Sequence, residues 1–147
     1  MLYKKPSFTV SIVLFLRRFR HKCISDQFVG MSILRALYRW LVIRSGLLKG
    51  KGIPVDIGGF GYFELDPWVA FGEYEGWGTD HNDGWKKWIA ACAEKKVVFD
   101  IGAHIGLYSL PASQVIHREG LIYAFEPGDK NYLFLMKHVQ YNDIRNV

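Results

Sequence analysis

One stretch, residues 97–106, constrains the fold of this chain more than any other part of the sequence. It begins with an apolar, strand-forming run that ends at Asp100, and Gly102 and Gly106 follow at Asp-x-Gly-x-x-x-Gly spacing. A second apolar run, residues 121–125, ends in another acid. A strand, a glycine turn, a helix and a second strand form one half of a nucleotide-binding α/β fold. Because the first run is continuously apolar, we expect a parallel strand covered by helices on both faces.

Each position in this motif has a physical role. Gly102 lacks a Cβ, so the backbone can turn sharply there and a ligand can approach it, whereas Gly106 would let the next helix pack close to the strand. Asp100 lies where open α/β sheets bind ligands, and its charge suits an ammonium group. Glu126, after the second strand, can accept hydrogen bonds from both ribose hydroxyls; the alternative is a solvated strand-end acid. These residues favour S-adenosylmethionine over a dinucleotide.

Two other nucleotide-binding motifs do not fit. A dinucleotide fingerprint requires Gly-x-Gly-x-x-Gly, but His104 and Leu107 stand where its second and third glycines would be. A phosphate-binding P-loop requires Gly-Lys-Ser/Thr where residues 107–109 are Leu-Tyr-Ser. Asp100 would also repel phosphates. A Rossmann enzyme using a nicotinamide cofactor is therefore the weaker alternative.

The motif belongs to a longer pattern, made of FDIGAHIGLYSL at 99–110, AFEP at 124–127, Asn131-Tyr132, Asn142 and Asn146-Val147. This pattern resembles a known family, the FkbM-type methyltransferases. That family contains S-adenosylmethionine-dependent, Rossmann-like enzymes that often O-methylate sugars or natural products. The resemblance covers about the last third of the chain, and it implies a cofactor site formed by Asp100, Gly102, Ala103, His104, Gly106 and Glu126. Family members usually carry Asn where His104 stands, which puts any specific role of that side chain in doubt.

Only the first two strands of the family's sheet are recognisable, and Asn146 lies where a third would begin. We therefore expect an α/β chain with a Rossmann-like class I methyltransferase fold, truncated after the second core strand. Such a chain is either a fragment or a half-domain that needs a partner, and an oligomer is compatible with the second case. No catalytic base is assigned. His104 is the nearest candidate by location, but a turn histidine that hydrogen-bonds the backbone is the simpler interpretation.

Charge divides the chain near residue 50. Residues 1–50 contain ten Lys and Arg against one acid, Asp26, whereas residues 51–147 have a net charge of −4. We predict a basic helical N-terminal segment at 1–50, a short-strand and loop lead-in at 51–82, and a partial S-adenosylmethionine-binding domain at 83–147.

The basic segment has two interpretations. Its apolar run at 8–16 is shorter than the roughly 20 residues that cross a bilayer. An amphipathic helix is predicted by the spacing of Leu34, Leu37, Tyr38 and Leu41. This helix would either pack on the main domain or lie on an anionic membrane surface, and in the second case the chain could be an inactive interaction module. We expect a cytoplasmic protein, with peripheral membrane contact as the alternative. No nucleic-acid-binding motif is present, so the expected partner is a small-molecule or glycan acceptor.

The lead-in contains two candidate strands, residues 60–65 and 68–71, separated by an Asp-Pro turn. Residues 72–78 should form a loop over the cofactor pocket, which Glu75 or His81 could reach. Residues 79–83 include metal-capable side chains, but they are consecutive rather than three or four apart, so we expect no metal site.

Three helices are predicted after the lead-in. Asp83 is a candidate N-cap for the first, whose buried face would contain Trp85, Trp88, Ile89 and Cys92. The second should begin near Pro111. Asp129 would cap the third, and the residues expected to face the sheet are Tyr132, Leu135, Met136 and Val139. The two cysteines, Cys23 and Cys92, are far apart and indicate free thiols in a reducing compartment.

Overall fold

The computed structural model describes Trp40, residues 50–70, Gly72, residues 74–79 and residues 82–147. Its contacts divide the chain into two compact units, Met1–Gly50 and Lys51–Val147. The predicted amphipathic helix and the apolar run at 8–16 lie outside the described residues, as does His81. Among the helices that are described, none has the length and apolar character needed to cross a bilayer.

The second unit is a small mixed α/β domain. In the described part of this unit the elements are β1 (Ile53–Asp56), β2 (Tyr62–Leu65), α1 (Trp85–Cys92), β3 (Val97–Ile101), α2 (Ser109–Val115), β4 (Leu121–Phe125) and α3 (Asp129–Tyr141). β1 and β2 form an antiparallel pair, and β3 and β4 form a parallel pair. The predicted order of strand, turn, helix, strand and helix from residue 97 onward is confirmed.

The parallel pair is covered on one face. Its register joins Val97 to Leu121 and Ile101 to Phe125. Val98 and Ile122 are buried on the covered face. The alternate residues of both strands are exposed, so in the described structure the prediction of a strand covered on both faces is wrong. An apolar run by itself does not show whether both faces of its sheet are packed.

The lead-in forms a hairpin and then a turn. In β2, Phe63 and Leu65 are buried, and they belong to the predicted strand at 60–65. The second predicted strand is wrong at residues 68–70, which form a turn. Asp66 is the cause, because its carbonyl accepts the N–H groups of Val69 and Ala70 while its carboxylate accepts that of Trp68. These bonds close the backbone locally and leave it unable to pair as a strand.

Helix α1 begins after Gly84, and no side chain caps it. The predicted Asp83 N-cap is therefore wrong; the first turn is instead closed by a backbone bond from the Trp85 N–H to the Asn82 carbonyl. Trp85, Ile89 and Cys92 are buried as predicted, and Trp88 is half-buried.

Helix α2 begins at Ser109, so Pro111 is its third residue. A proline is tolerated there because the N–H groups of the first turn have no intrahelical partner. Helix α3 buries Phe134, Leu135 and His138, whereas Tyr132 and Met136 are exposed. The predicted face of α3 is therefore wrong at Tyr132 and Met136 and right at Leu135, while Val139 is half-buried. The predicted Asp129 cap is also wrong, because Gly128 stands at the cap position and no side chain caps the helix.

Candidate cofactor-binding site

The segment between β3 and α2 folds back onto the end of β4. Gly102, His104 and Gly106 all have positive φ, at 86°, 52° and 96°. The N–H groups of Gly102 and Ala103 both donate to the Phe125 carbonyl, at 2.8 and 3.0 Å. The turn is thereby fixed at the carboxyl ends of both parallel strands, which is where sheets of this kind bind ligands.

The two glycines of the motif meet different surroundings. A Cβ built on Gly106 would lie 2.9 Å from Leu135 Cδ1 and 3.3 Å from Leu110 Cγ. A Cβ on Gly102 would have nothing within 4 Å. Gly106 therefore permits close helix packing, whereas Gly102 supplies a left-handed backbone beside open space that a ligand could enter.

Glu126 is held by the turn from the neighbouring strand. Its Oε2 accepts the His104 N–H at 2.8 Å, and its Oε1 accepts the Gly128 N–H at 2.9 Å and Asn131 Nδ2 at 3.3 Å. These bonds, led by that from Gly128, lower the pKa of the Glu126 carboxyl. A carboxylate has about four acceptor positions, so it can accept a further bond while it is held in place.

Asp100 points into the protein rather than into the open space. It is 8% exposed, and its Oδ2 accepts the Ser109 hydroxyl at 2.5 Å. Burial raises the pKa of the Asp100 carboxyl, while the hydroxyl and N–H of Ser109 lower it. Asp100 thus joins the end of β3 to the first turn of α2. A negative charge at that position also interacts favourably with the positive end of the helix dipole.

The predicted site residues divide into two groups. Gly102 and His104 are exposed and Glu126 is half-buried, and these three line the open side of the turn. Asp100, Ala103 and Gly106 are buried beneath it. His104 contributes through its backbone, in the left-handed region that Asn and His adopt more readily than most residues.

His138 is a residue that sequence reasoning did not find. It is fully buried; its Nε2 accepts the Asp66 N–H at 2.9 Å, and its Nδ1 lies 2.7 Å from the Ile105 carbonyl. An acceptor at Nε2 and a donor at Nδ1 define one neutral tautomer. Burial is the largest effect on His138 and lowers its pKa. The His138 side chain therefore connects the glycine turn, through Ile105, to Asp66 at the end of the hairpin.

A sequence signal for His138 did exist. It lies three residues after Leu135 and four after Phe134, so the three share a helix face. Its two partners are 33 and 72 residues away in the chain, so no local motif contains them.

Two further predictions concern the loop over the cofactor pocket and the metal-capable side chains at 79–83. Glu75 is exposed, and His81 lies outside the described residues. Among the residues that the structure describes, no group of three or more His, Cys, Asp or Glu side chains could hold a metal ion.

Comparison of the chain with models of protein families, with curated proteins and with solved structures found no match.

Proposed function

We propose that this chain carries the S-adenosylmethionine-binding half of a Rossmann-like class I methyltransferase fold, resembling the FkbM type. The acceptor would be a hydroxyl group of a sugar or natural product. The observation that carries the proposal is the position of Glu126. Its carboxylate lies at the end of β4, fixed by the His104 N–H, beside the open space over Gly102. An ionised acid with one unused acceptor position fits one hydroxyl of a ribose there.

The sheet supplies a second support. In the doubly wound order expected for this fold, a third strand would lie beside β4, on the side away from β3. The Ile122 N–H of β4 donates to the Asn146 carbonyl at 2.8 Å, and Asn146 Nδ2 donates to the Ser113 carbonyl. The chain after α3 therefore already runs beside β4, as the proposed order requires.

The structure changes the role proposed for Asp100. Since its carboxylate is buried and bonded to Ser109, we assign it to positioning the turn rather than to contact with an ammonium group. The cofactor would supply a methyl group activated on a sulfonium. The described residues would bind and orient it, and none of them is assigned as the base that takes the acceptor proton.

Calorimetric titration of S-adenosylhomocysteine into the 147-residue chain tests the proposal. We expect saturable binding that Glu126→Ala weakens at least about tenfold, the loss of one charge-assisted hydrogen-bonding group. Glu119→Ala is the matched control, since this exposed acid lies just before the other end of β4. The absence of binding by folded protein, equal losses in the two variants, or a preference for a nicotinamide cofactor would refute the proposal.

We separately propose that the basic segment, residues 1–50, makes peripheral contact with an anionic membrane. This proposal depends only on the net charge of +9 over residues 1–50. Flotation with acidic liposomes at low and high salt tests it, because such binding is screened by ions. If the chain does not float at low salt, the proposal fails.

A further inference from the structure

The parallel pair exposes a continuous apolar surface, which we name the apolar face. It consists of three cross-strand pairs, Val97–Leu121, Phe99–Tyr123 and Ile101–Phe125. Each of the six side chains is between 46% and 76% exposed. The Phe99 ring stacks on Tyr123 at 5.4 Å and on Phe125 at 6.2 Å between centroids, so the aromatic part of the face is ordered and nearly flat.

The area of this face is large for a surface left in water. An aromatic side chain has roughly 150–250 Å² of surface, so about half of each of the three aromatic residues contributes about 100 Å². With the three aliphatic residues the face amounts to roughly 600 Å². This area is at the upper end of the largest apolar patches on monomeric proteins, about 300–600 Å², and patches of that size are often interaction sites.

We propose that the apolar face is the interface of a symmetric dimer formed by two copies of this chain. Two copies joined through it would bury roughly 1,200 Å² in total, the lower bound for a specific interface. A flat sheet face is self-complementary under a two-fold axis, as a symmetric dimer requires. Two sheets packed face to face would place the stacked aromatic side chains of both copies in one shared core.

Charge at the two ends of the sheet favours the same arrangement. At the start of the two strands Lys95, Lys96 and Arg118 outnumber Glu94 and Glu119, whereas after β4 Glu126 and Asp129 outnumber Lys130. Since the strands are parallel, one end of the sheet has a net positive charge and the other a net negative charge. A two-fold axis perpendicular to the strands would place the basic end of each copy over the acidic end of its partner, and complementary ends of this kind fix the orientation.

Analytical ultracentrifugation of the 147-residue chain, from about 1 to about 100 µM, tests this inference. Interfaces near the minimum size can be as weak as micromolar, so we expect a monomer–dimer equilibrium within this range. Phe99→Glu should raise the dissociation constant at least about tenfold, because a charge would enter the shared core. Leu133→Glu is the matched control: Leu133 is exposed to the same extent, 61% against 59%, but lies on α3. This control should change the constant by less than about twofold.

A second measurement needs no substitution. A soluble paramagnetic agent should broaden the methyl signals of Ile101 in dilute protein and lose that effect as the dimer forms. The signals of Leu133 should stay accessible throughout. A monomer at about 100 µM, equal effects of the two variants, or protection of Ile101 in the monomer, which would mean that another segment covers the face, would each overturn the proposal. The apolar face shares no side chain with the proposed cofactor site, so either proposal can fail alone.

Discussion

The backbone N–H of His104 donates to Glu126 Oε2 across 2.8 Å, although the two residues belong to turns that follow different strands. The acid proposed to bind ribose is therefore held by the same turn that is proposed to receive the rest of the cofactor. A carboxylate fixed before the ligand arrives loses little side-chain entropy on binding. Its orientation depends on the main chain of residue 104 and not on the imidazole ring.

Removing the His138 side chain should destabilise the whole second unit. His138→Ala leaves the Asp66 N–H and the Ile105 carbonyl without their partner and opens a cavity. We expect a loss of about 3–5 kcal/mol in the free energy of unfolding, measured by urea denaturation. His117→Ala, which alters a partly exposed side chain, should cost less than about 1 kcal/mol. Similar losses in the two variants would show that the buried contacts of His138 contribute little.

The stability of the protein should fall as the pH drops below about 6.5. Burial lowers the pKa of His138 in the folded state. At a pH between the folded and the unfolded pKa, the ring is therefore neutral in the folded protein but protonated in the unfolded chain. Its contribution is therefore complete above the unfolded pKa of about 6.5 and is lost progressively toward the lower folded pKa, at about 1.4 kcal/mol per pH unit.

The charged groups that act on His138 are Asp66 and Lys137. Lys137 Nζ lies 2.9 Å from Asp66 Oδ2. The chain contains five histidines, so the effect of His138 is isolated by the difference between the urea midpoints of the unaltered chain and of His138→Ala, measured from pH 7.5 to 5. A difference that does not change with pH would contradict the lowered pKa of His138.

Alanine at the two glycines of the turn should separate stability from binding. Gly106→Ala combines a positive φ with a contact to Leu135, and we expect it to cost about 2–4 kcal/mol. Gly102→Ala meets no neighbour, so only the backbone strain of about 1–2 kcal/mol applies. The new methyl group would instead occupy the proposed ligand space. Thermal unfolding measures the loss of stability, and titration with S-adenosylhomocysteine measures the loss of affinity. We expect Gly102→Ala to lose more affinity for the stability it loses than Gly106→Ala does.

The Ser109 hydroxyl should matter most when Asp100 is ionised. Ser109→Ala leaves a buried carboxylate with one donor fewer, at a cost of about 1–3 kcal/mol near neutral pH. The pKa of Asp100 would rise further, so the cost should shrink as the pH falls and the acid becomes protonated. Ser113→Ala is the control in the same helix, where the hydroxyl donates to the Leu110 carbonyl. A pH-independent loss at Ser109 would argue against this coupling.

The parts of the fold that the sequence predicted are those encoded over short distances. The strand run, the glycines and the second run lie within about thirty residues, and one parallel unit of this kind has few alternatives. The face of α3 was mispredicted because a spacing of three and four residues suits Tyr132 and Met136 as well as Leu135. Contacts with β2, far away in the chain, select the face that contains His138. The predicted cap at Asp83 was wrong for a different reason, because a local backbone bond from Trp85 to Asn82 closes that turn.

The pairing of Asn142 with Glu64 has a practical consequence. The Asn142 side chain accepts the Glu64 N–H at 2.8 Å and donates to its carbonyl at 2.9 Å, replacing the bonds that a neighbouring strand would make. Expression of residues 83–147 alone would discard the other half of this pair together with the Asp66 donor to His138. A shortened version intended for crystallisation should therefore start at Lys51, where the compact unit begins, and a protease that cuts near residue 82 should leave both pieces associated.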